Sequence, residues 1–265
     1  MKKNLFKIFK LIFVVVVTTS LLSWSGNSKP SREYYQLTVY HFNDKAKEKI
    51  LDSFFQNVLL PALHRMKITN VGVFKSWAND TVSDKMIYLF IPFKSLADLS
   101  DLQSALNKNQ AYVEAGESFL NAAYKDPPYT RKETILLHAF PLAPIMQTPE
   151  LNAPKKERVY ELRSYESPTE EKFKNKVKMF NDGDEIGLFK KLHFNAIFYS
   201  EVIAGSKMPN LMYMTSFENK ADREEHWKNF VNDPYWKKLS AMPEYLNNVS
   251  HIDISFLVPA DYSDF

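Results

Sequence analysis

Glu161, Arg163 and Tyr165 alternate along the segment Tyr160-Glu161-Leu162-Arg163-Ser164-Tyr165, and the two-residue repeat of a strand puts all three on one face. A guanidinium so placed grips an anionic or carbonyl group with paired N–H donors, and the neighbouring phenol orients it. Glu201, on the strand expected alongside, would serve as a base. Tyr199, Tyr213 and Trp227 would wall the pocket. The same residues admit a purely architectural role: Glu161 and Arg163 neutralise each other between packed layers, and the aromatics are core.

Other chemistries lack their residues. Without a cysteine there is no disulfide framework, no thiolate nucleophile and no cysteine-ligated metal or cluster. No GxSxG elbow, phosphate-binding glycine loop, dinucleotide fingerprint or HExxH occurs. Of the 6 histidines, His138 sits within Leu136-Leu137-His138-Ala139-Phe140 and His251 precedes Ile252, so both read as strand residues. No pair stands at a metal-ligand spacing backed by acids, and no metal is expected. No cofactor is predicted either. Haem is the one left open, with His226 beside Trp227 as its axial imidazole, against the plainer reading of a histidine on a helix surface.

The formal charge of +3 resides at the N-terminus: residues 1–26 hold four lysines and no acid, and without them the balance is −1. Nucleic acid or an anionic membrane as partner therefore loses its electrostatic basis. Lys2, Lys3, Lys7 and Lys10, the apolar run Leu11 to Leu22 and the small residues of Ser23-Trp24-Ser25-Gly26 have the order of an export signal. About 12 apolar residues fall short of the roughly 20 that span a bilayer. Residues 1–26 thus read as a signal peptide, residues 27–33 as a polar tether, and the protein as exported to the periplasm or outside the cell, with no membrane span once the signal is removed.

The elements that would position the cluster come in two copies. Residues 34–140 and 157–259 share a strand opener, Tyr35-Gln36-Leu37-Thr38-Val39-Tyr40 against Tyr160 to Tyr165, and stay in register about 125 positions apart. A repeat this long is a duplicated domain, since solenoid units run about 20–50 residues. In the first copy the pattern predicts strands over 35–41, 71–77, 86–93 and 134–140, and helices led by Ile50, Phe54 and Val58, then by Leu96, Leu99 and Leu102. The second predicts strands over 159–165, 196–204, 211–217 and 252–258, with Ser167-Pro168-Thr169-Glu170 as a helix-starting capping box. Four prolines make 141–156 a linker, and 260–265 a tail. The fold class is α+β: two ferredoxin-like βαββαβ repeats whose open antiparallel sheets cover each other in an α/β-barrel-like arrangement. The face turned away from the helices is expected to carry Glu161, Arg163 and Tyr165.

In the second copy a family resemblance appears. Tyr160 to Tyr165, Phe198 to Gly205, Pro209 to Phe217, Arg223-Glu224 with Trp227 and Phe230, and Asp233-Pro234-Tyr235-Trp236 together resemble the NIPSNAP family. The first copy is similar only loosely, with Gln36 and Thr38 where the second has Glu161 and Arg163. The resemblance implies the dimeric α/β-barrel superfamily, which holds small monooxygenases, haem-degrading enzymes and many proteins without an assigned reaction. It does not award a function. Three expectations follow: binding of a small, largely apolar or amphipathic molecule, with Arg163 and Tyr165 as anchors; a cofactor-free or haem-dependent oxygenase; or an interaction module without a pocket. A homo-oligomer is compatible with each.

Overall fold

The computed structural model describes residues 31–265; the expected signal peptide and most of the tether lie outside the described residues. Eight strands, β1 (Tyr34–Phe42), β2 (Gly72–Ser76), β3 (Lys85–Phe93), β4 (Arg131–Ala139), β5 (Val159–Glu166), β6 (Asn195–Ala204), β7 (Asn210–Phe217) and β8 (His251–Pro259), close into one barrel in the order β1-β3-β2-β8-β5-β7-β6-β4. Every pairing is antiparallel. Within each half the order is that of a ferredoxin-like sheet. The halves join where β2 meets β8 and β4 meets β6, so no edge remains to be protected.

Helices coat the outside. Over the first half lie α1 (Lys45–Phe54), α2 (Leu60–Arg65), α3 (Leu96–Lys108) and α4 (Gln110–Leu120); over the second lie α5 (Glu170–Asn181), α6 (Glu185–Lys191), α7 (Lys220–Asn232) and α8 (Pro234–Ser240). A π-helical turn, Phe55–Leu59, joins α1 to α2. Pro61 has no N–H to donate, and the wider turn ahead of it, with Leu60 N–H bonded to Phe55 O, absorbs the break that proline imposes. The buried stripe of this helix is Leu51, Phe54, Phe55 and Val58; Ile50, expected within it, is exposed. The expected capping box is shifted as well. Thr169, not Ser167, caps α5, its hydroxyl accepting from Lys172 N–H.

The segment from 141 to 156 is pinned to the barrel. Met146 N–H donates to Glu33, Gln147 N–H to Ile197 O, and the Asn152 and Ala153 N–H groups to the Glu218 carboxylate. Residues 260–265 are packed rather than loose: the Ser263 hydroxyl and the Asp264 carboxylate accept from Val73 and Val71 N–H, and Phe265 is buried among Phe74, Phe90 and Tyr160. Among the described residues no helix is long and apolar enough to cross a membrane.

Three large buried clusters result. One lies between the first sheet and its helices, one between the second sheet and its helices, and one fills the barrel. Alternation along each strand sends successive side chains to the barrel and to the helices. In β1, Tyr35, Leu37 and Val39 face inward; in β5, Tyr160 and Leu162 do.

Candidate functional site

Glu161, Arg163 and Tyr165 do share a face, but it is the face toward the helices. Tyr160 and Leu162 take the barrel side. The expectation had the sides reversed. The reason is one of partners: the barrel interior receives mostly apolar side chains, whereas α7 brings Arg223 and Trp227 against the other face, where an ion pair can be satisfied.

There the carboxylate of Glu161, 0% exposed, accepts from Arg163 Nε at 2.6 Å, Arg223 Nε at 2.8 Å and Trp227 Nε1 at 2.8 Å. Arg163, 9% exposed, lies 3.7 Å from the Trp227 ring centroid and donates through Nη1 to the Tyr165 hydroxyl at 3.0 Å. That hydroxyl is 2.8 Å from the Tyr213 hydroxyl, and Tyr213 stacks on Tyr199. Burial pushes the Glu161 carboxyl up, but Arg223 and Arg163 together outweigh it and hold the group below the ordinary glutamate range. Burial likewise works against the Arg163 charge, and the surrounding Tyr213, Tyr165 and Glu161 more than restore it.

Beneath this network Lys176 Nζ bonds Glu185 at 2.9 Å, both groups being buried. Burial dominates at Glu185 and raises its pKa despite Lys176. Tyr199 and Tyr213 are pushed well up by burial and stay protonated. Six of the seven expected site residues are thus brought together as one saturated cluster. Glu201 stands apart from it, bonded to Arg32 Nη2 at 2.6 Å and lying 3.7 Å from His138 Nδ1 at the β4–β6 seam. Tyr199 also borders a cleft of about 720 Å³ between residues 142–150 and β6.

His226 lies on the surface of α7 with its ring engaged by its own neighbours. Its Nδ1 lies 2.8 Å from Asp222 O on its own helix, and its ring packs edge-on against Phe194 and Phe217, with centroids 5.3 and 5.6 Å away.

A second place has the shape of a binding site. At the end of the barrel where Tyr35 and Tyr160 point inward, the interior is solid: Phe90 stacks on Phe198 at 5.0 Å, and Phe74 and Phe265 close the layer. Gly72 permits this packing, since a Cβ there would lie 2.4 Å from the Phe74 ring. The opposite end opens as a cavity of about 330 Å³. Leu37, Val39, Leu162 and Met212 line it with apolar surface, while Tyr88, Ser164, Asn210 and Ser255 line it with polar atoms. His41, Glu133, Lys207 and Asp253 also border it. Lys207 comes from the β6–β7 hairpin and bonds Asp253, which raises the lysine and lowers the acid. Glu166, His251 and Asp253 stand close enough to share a metal ion, but the Lys207 ammonium is already the cation there, 3.9 Å from Glu166 and bonded to Asp253.

The mouth residues were not legible as a site. Ser164 falls between Arg163 and Tyr165 and Asn210 follows Pro209, and neither pattern signals a ligand. Tyr88 is in the first half and Ser255 in the second, and only barrel closure brings their hydroxyls to 3.5 Å.

Residues 160–264 match the NIPSNAP family model. No curated protein matches the sequence. Among solved structures, a proposed monooxygenase of Lactobacillus acidophilus NCFM shares 14% identity at a TM-score of 0.57, over 86% of this chain and 94% of its own. A proposed monooxygenase of Fusobacterium nucleatum shares 9% at 0.56, over 86% and 93%. An anthrone oxidase-like protein shares 11% at 0.51, over 88% and 93%. Identities this low establish a common fold and nothing about activity.

Proposed function

We propose that this chain, whose second half is a NIPSNAP domain, binds a small, largely apolar molecule with one polar head in the open mouth of its barrel. The observation that carries the reading is the asymmetry of the barrel interior. One end is packed solid with aromatics, and the other holds a cavity of about 330 Å³ with an apolar wall and a few convergent polar atoms. Small-molecule sites have this composition, the apolar wall supplying affinity and the polar groups orientation.

The test is to extract the purified protein and identify any co-purifying molecule, then repeat with Met86→Trp. Met86 is only half buried and borders the mouth, so the larger ring fills the cavity without disturbing the packed end. Loss of the ligand from a folded variant is expected. Retention of the ligand would place it elsewhere.

The helix side supports a second reading through one observation, the cleft of about 720 Å³ that Tyr199 borders. Arg163 and Tyr165, expected as anchors, do not line this cleft; Lys190 does, and in this reading its ammonium takes the polar head. Lys190→Ala separates the two: binding in the mouth survives it, binding beside Tyr199 does not. The names of the fold's relatives suggest an enzymatic form of either reading, oxygen chemistry on the bound molecule. Ligand-dependent oxygen uptake by the purified protein would test it. The basic and apolar order of residues 2–22 supports export, and recovery of the protein in the cytoplasmic fraction would refute it.

A further inference from the structure

We infer that the barrel mouth selects an uncharged molecule whose polar head donates a hydrogen bond, an alcohol or a phenol, and that Asn210 is the residue that reads it. The inference rests on the mouth being the binding site.

Asn210 is the first residue of β7, on the inward side with Met212 and Met214, and is 2% exposed. Its Nδ2 donates to Ser164 Oγ at 2.9 Å, while its Oδ1, equally buried, has no partner among the described residues. Buried amide oxygens are nearly always paired, because an unmade bond leaves the full cost of desolvation standing. This acceptor belongs to a residue that lines an open cavity. What would satisfy it is a ligand with a hydrogen to give.

The other polar groups of the mouth narrow the class. The Tyr88 hydroxyl is weakly engaged, 3.4 Å from Met86 Sδ and 3.5 Å from Ser255 Oγ, and burial keeps it protonated. It can donate to a ligand oxygen. A hydroxyl head, accepting from Tyr88 and donating to Asn210, therefore uses both groups. An ether or ketone leaves Oδ1 unpaired. A carboxylate does too, and it also meets Glu133 and Asp253, while the ammonium that lines the mouth, that of Lys207, is already held by Asp253. The apolar wall of Leu37, Val39, Leu162 and Met212 takes the body of the molecule.

Three probes of one shape decide the matter: 2-naphthol, 2-methoxynaphthalene and 2-naphthoate, titrated into the purified protein by calorimetry. The naphthol is expected to bind at least about tenfold more tightly than the ether, as one buried hydrogen bond requires, with the naphthoate weakest. In Asn210→Leu the difference between naphthol and ether should vanish, and in Met86→Trp all binding should be lost. If the three probes bind alike and Met86→Trp abolishes all of them, the mouth is a site and the assignment to Asn210 is wrong. If none binds, or Met86→Trp changes nothing, the reading of the mouth falls and this inference with it. Should Asn210→Leu not fold, the ratio of naphthol to ether in the unsubstituted protein decides alone.

Discussion

Helices α1 to α4 meet the first sheet through Leu51, Phe55, Leu63, Ile87, Leu89 and Leu106, an apolar interface throughout its buried centre. The second sheet meets α5 to α7 through an ion-paired cluster set among aromatics. The two halves began from one pattern. Tyr35 answers Tyr160 and Leu37 answers Leu162, and all four face the barrel. On the helix side Gln36 and Thr38 stand where Glu161 and Arg163 stand, and Gln36 simply donates to Thr38 at 3.1 Å. Ser95 and Asn219 cap the equivalent helices α3 and α7, which sets Leu99 opposite the position of Arg223. At these tyrosine and leucine positions the barrel face kept its residue types because both halves share one interior, while Val39 and Ser164 differ where the interior opens at the mouth. Each helix face answers only to its own helices and was free to differ.

The sharpest way to break this comparison is to remove the carboxylate. Glu161→Ala leaves Arg163 and Arg223 buried without their counter-charge, and a loss of roughly 3–5 kcal/mol is expected in urea unfolding. An effect below about 1 kcal/mol would mean that the cluster is relaxed and hydrated rather than a dry scaffold.

Next in size is the pair below it. Lys176→Met with Glu185→Leu replaces two buried charges by apolar groups of similar length, converting part of the second half to the chemistry of the first. The double variant is expected to be neutral or more stable by about 1–4 kcal/mol, whereas either single change should destabilise. Thermal unfolding of the three variants measures this.

Acid titration gives a further contrast. The folded pKa of Glu161 is lowered, so its contribution is present above the ordinary glutamate value of 4.5 and is lost as pH falls through the lower folded value. Glu185 is raised and has the opposite sign: its contribution is full below 4.5 and is lost as pH rises through the folded value. In unfolding free energies measured across the acid range, Glu161→Gln should remove the first slope and Glu185→Gln the second. Slopes unchanged by these substitutions would assign the acid response to other groups.

The smallest effect belongs to the first half. Gln36→Ala removes one neutral hydrogen bond and should cost about 1 kcal/mol or less. A cost matching that of Glu161→Ala would erase the distinction between the two faces.

Much of this architecture was readable residue by residue. The recurrence of Tyr-x-Leu at 35 and 160 announced the duplication, and the alternation in β5 announced a shared face for Glu161, Arg163 and Tyr165. Which side that face took was not readable, because alternation fixes two opposite sets and says nothing of what covers each. Glu201 shows the same gap. Its strand was placed correctly, yet its partner Arg32 comes from just before β1, two strands away across the β4–β6 seam, and nothing near position 201 foretells it.

Local pattern alone therefore determined the elements, their order and the pairing of like with like, since those depend on period, caps and turn residues within a few positions of one another. Tertiary closure decided that one barrel end is packed and the other open, that Tyr88 faces Ser255, and that Asn210 keeps an unpaired oxygen beside a cavity. Those properties arise between strands far apart in the chain, where the space left over is set by the sum of side-chain volumes around a closed ring, and no single stretch of sequence carries that sum.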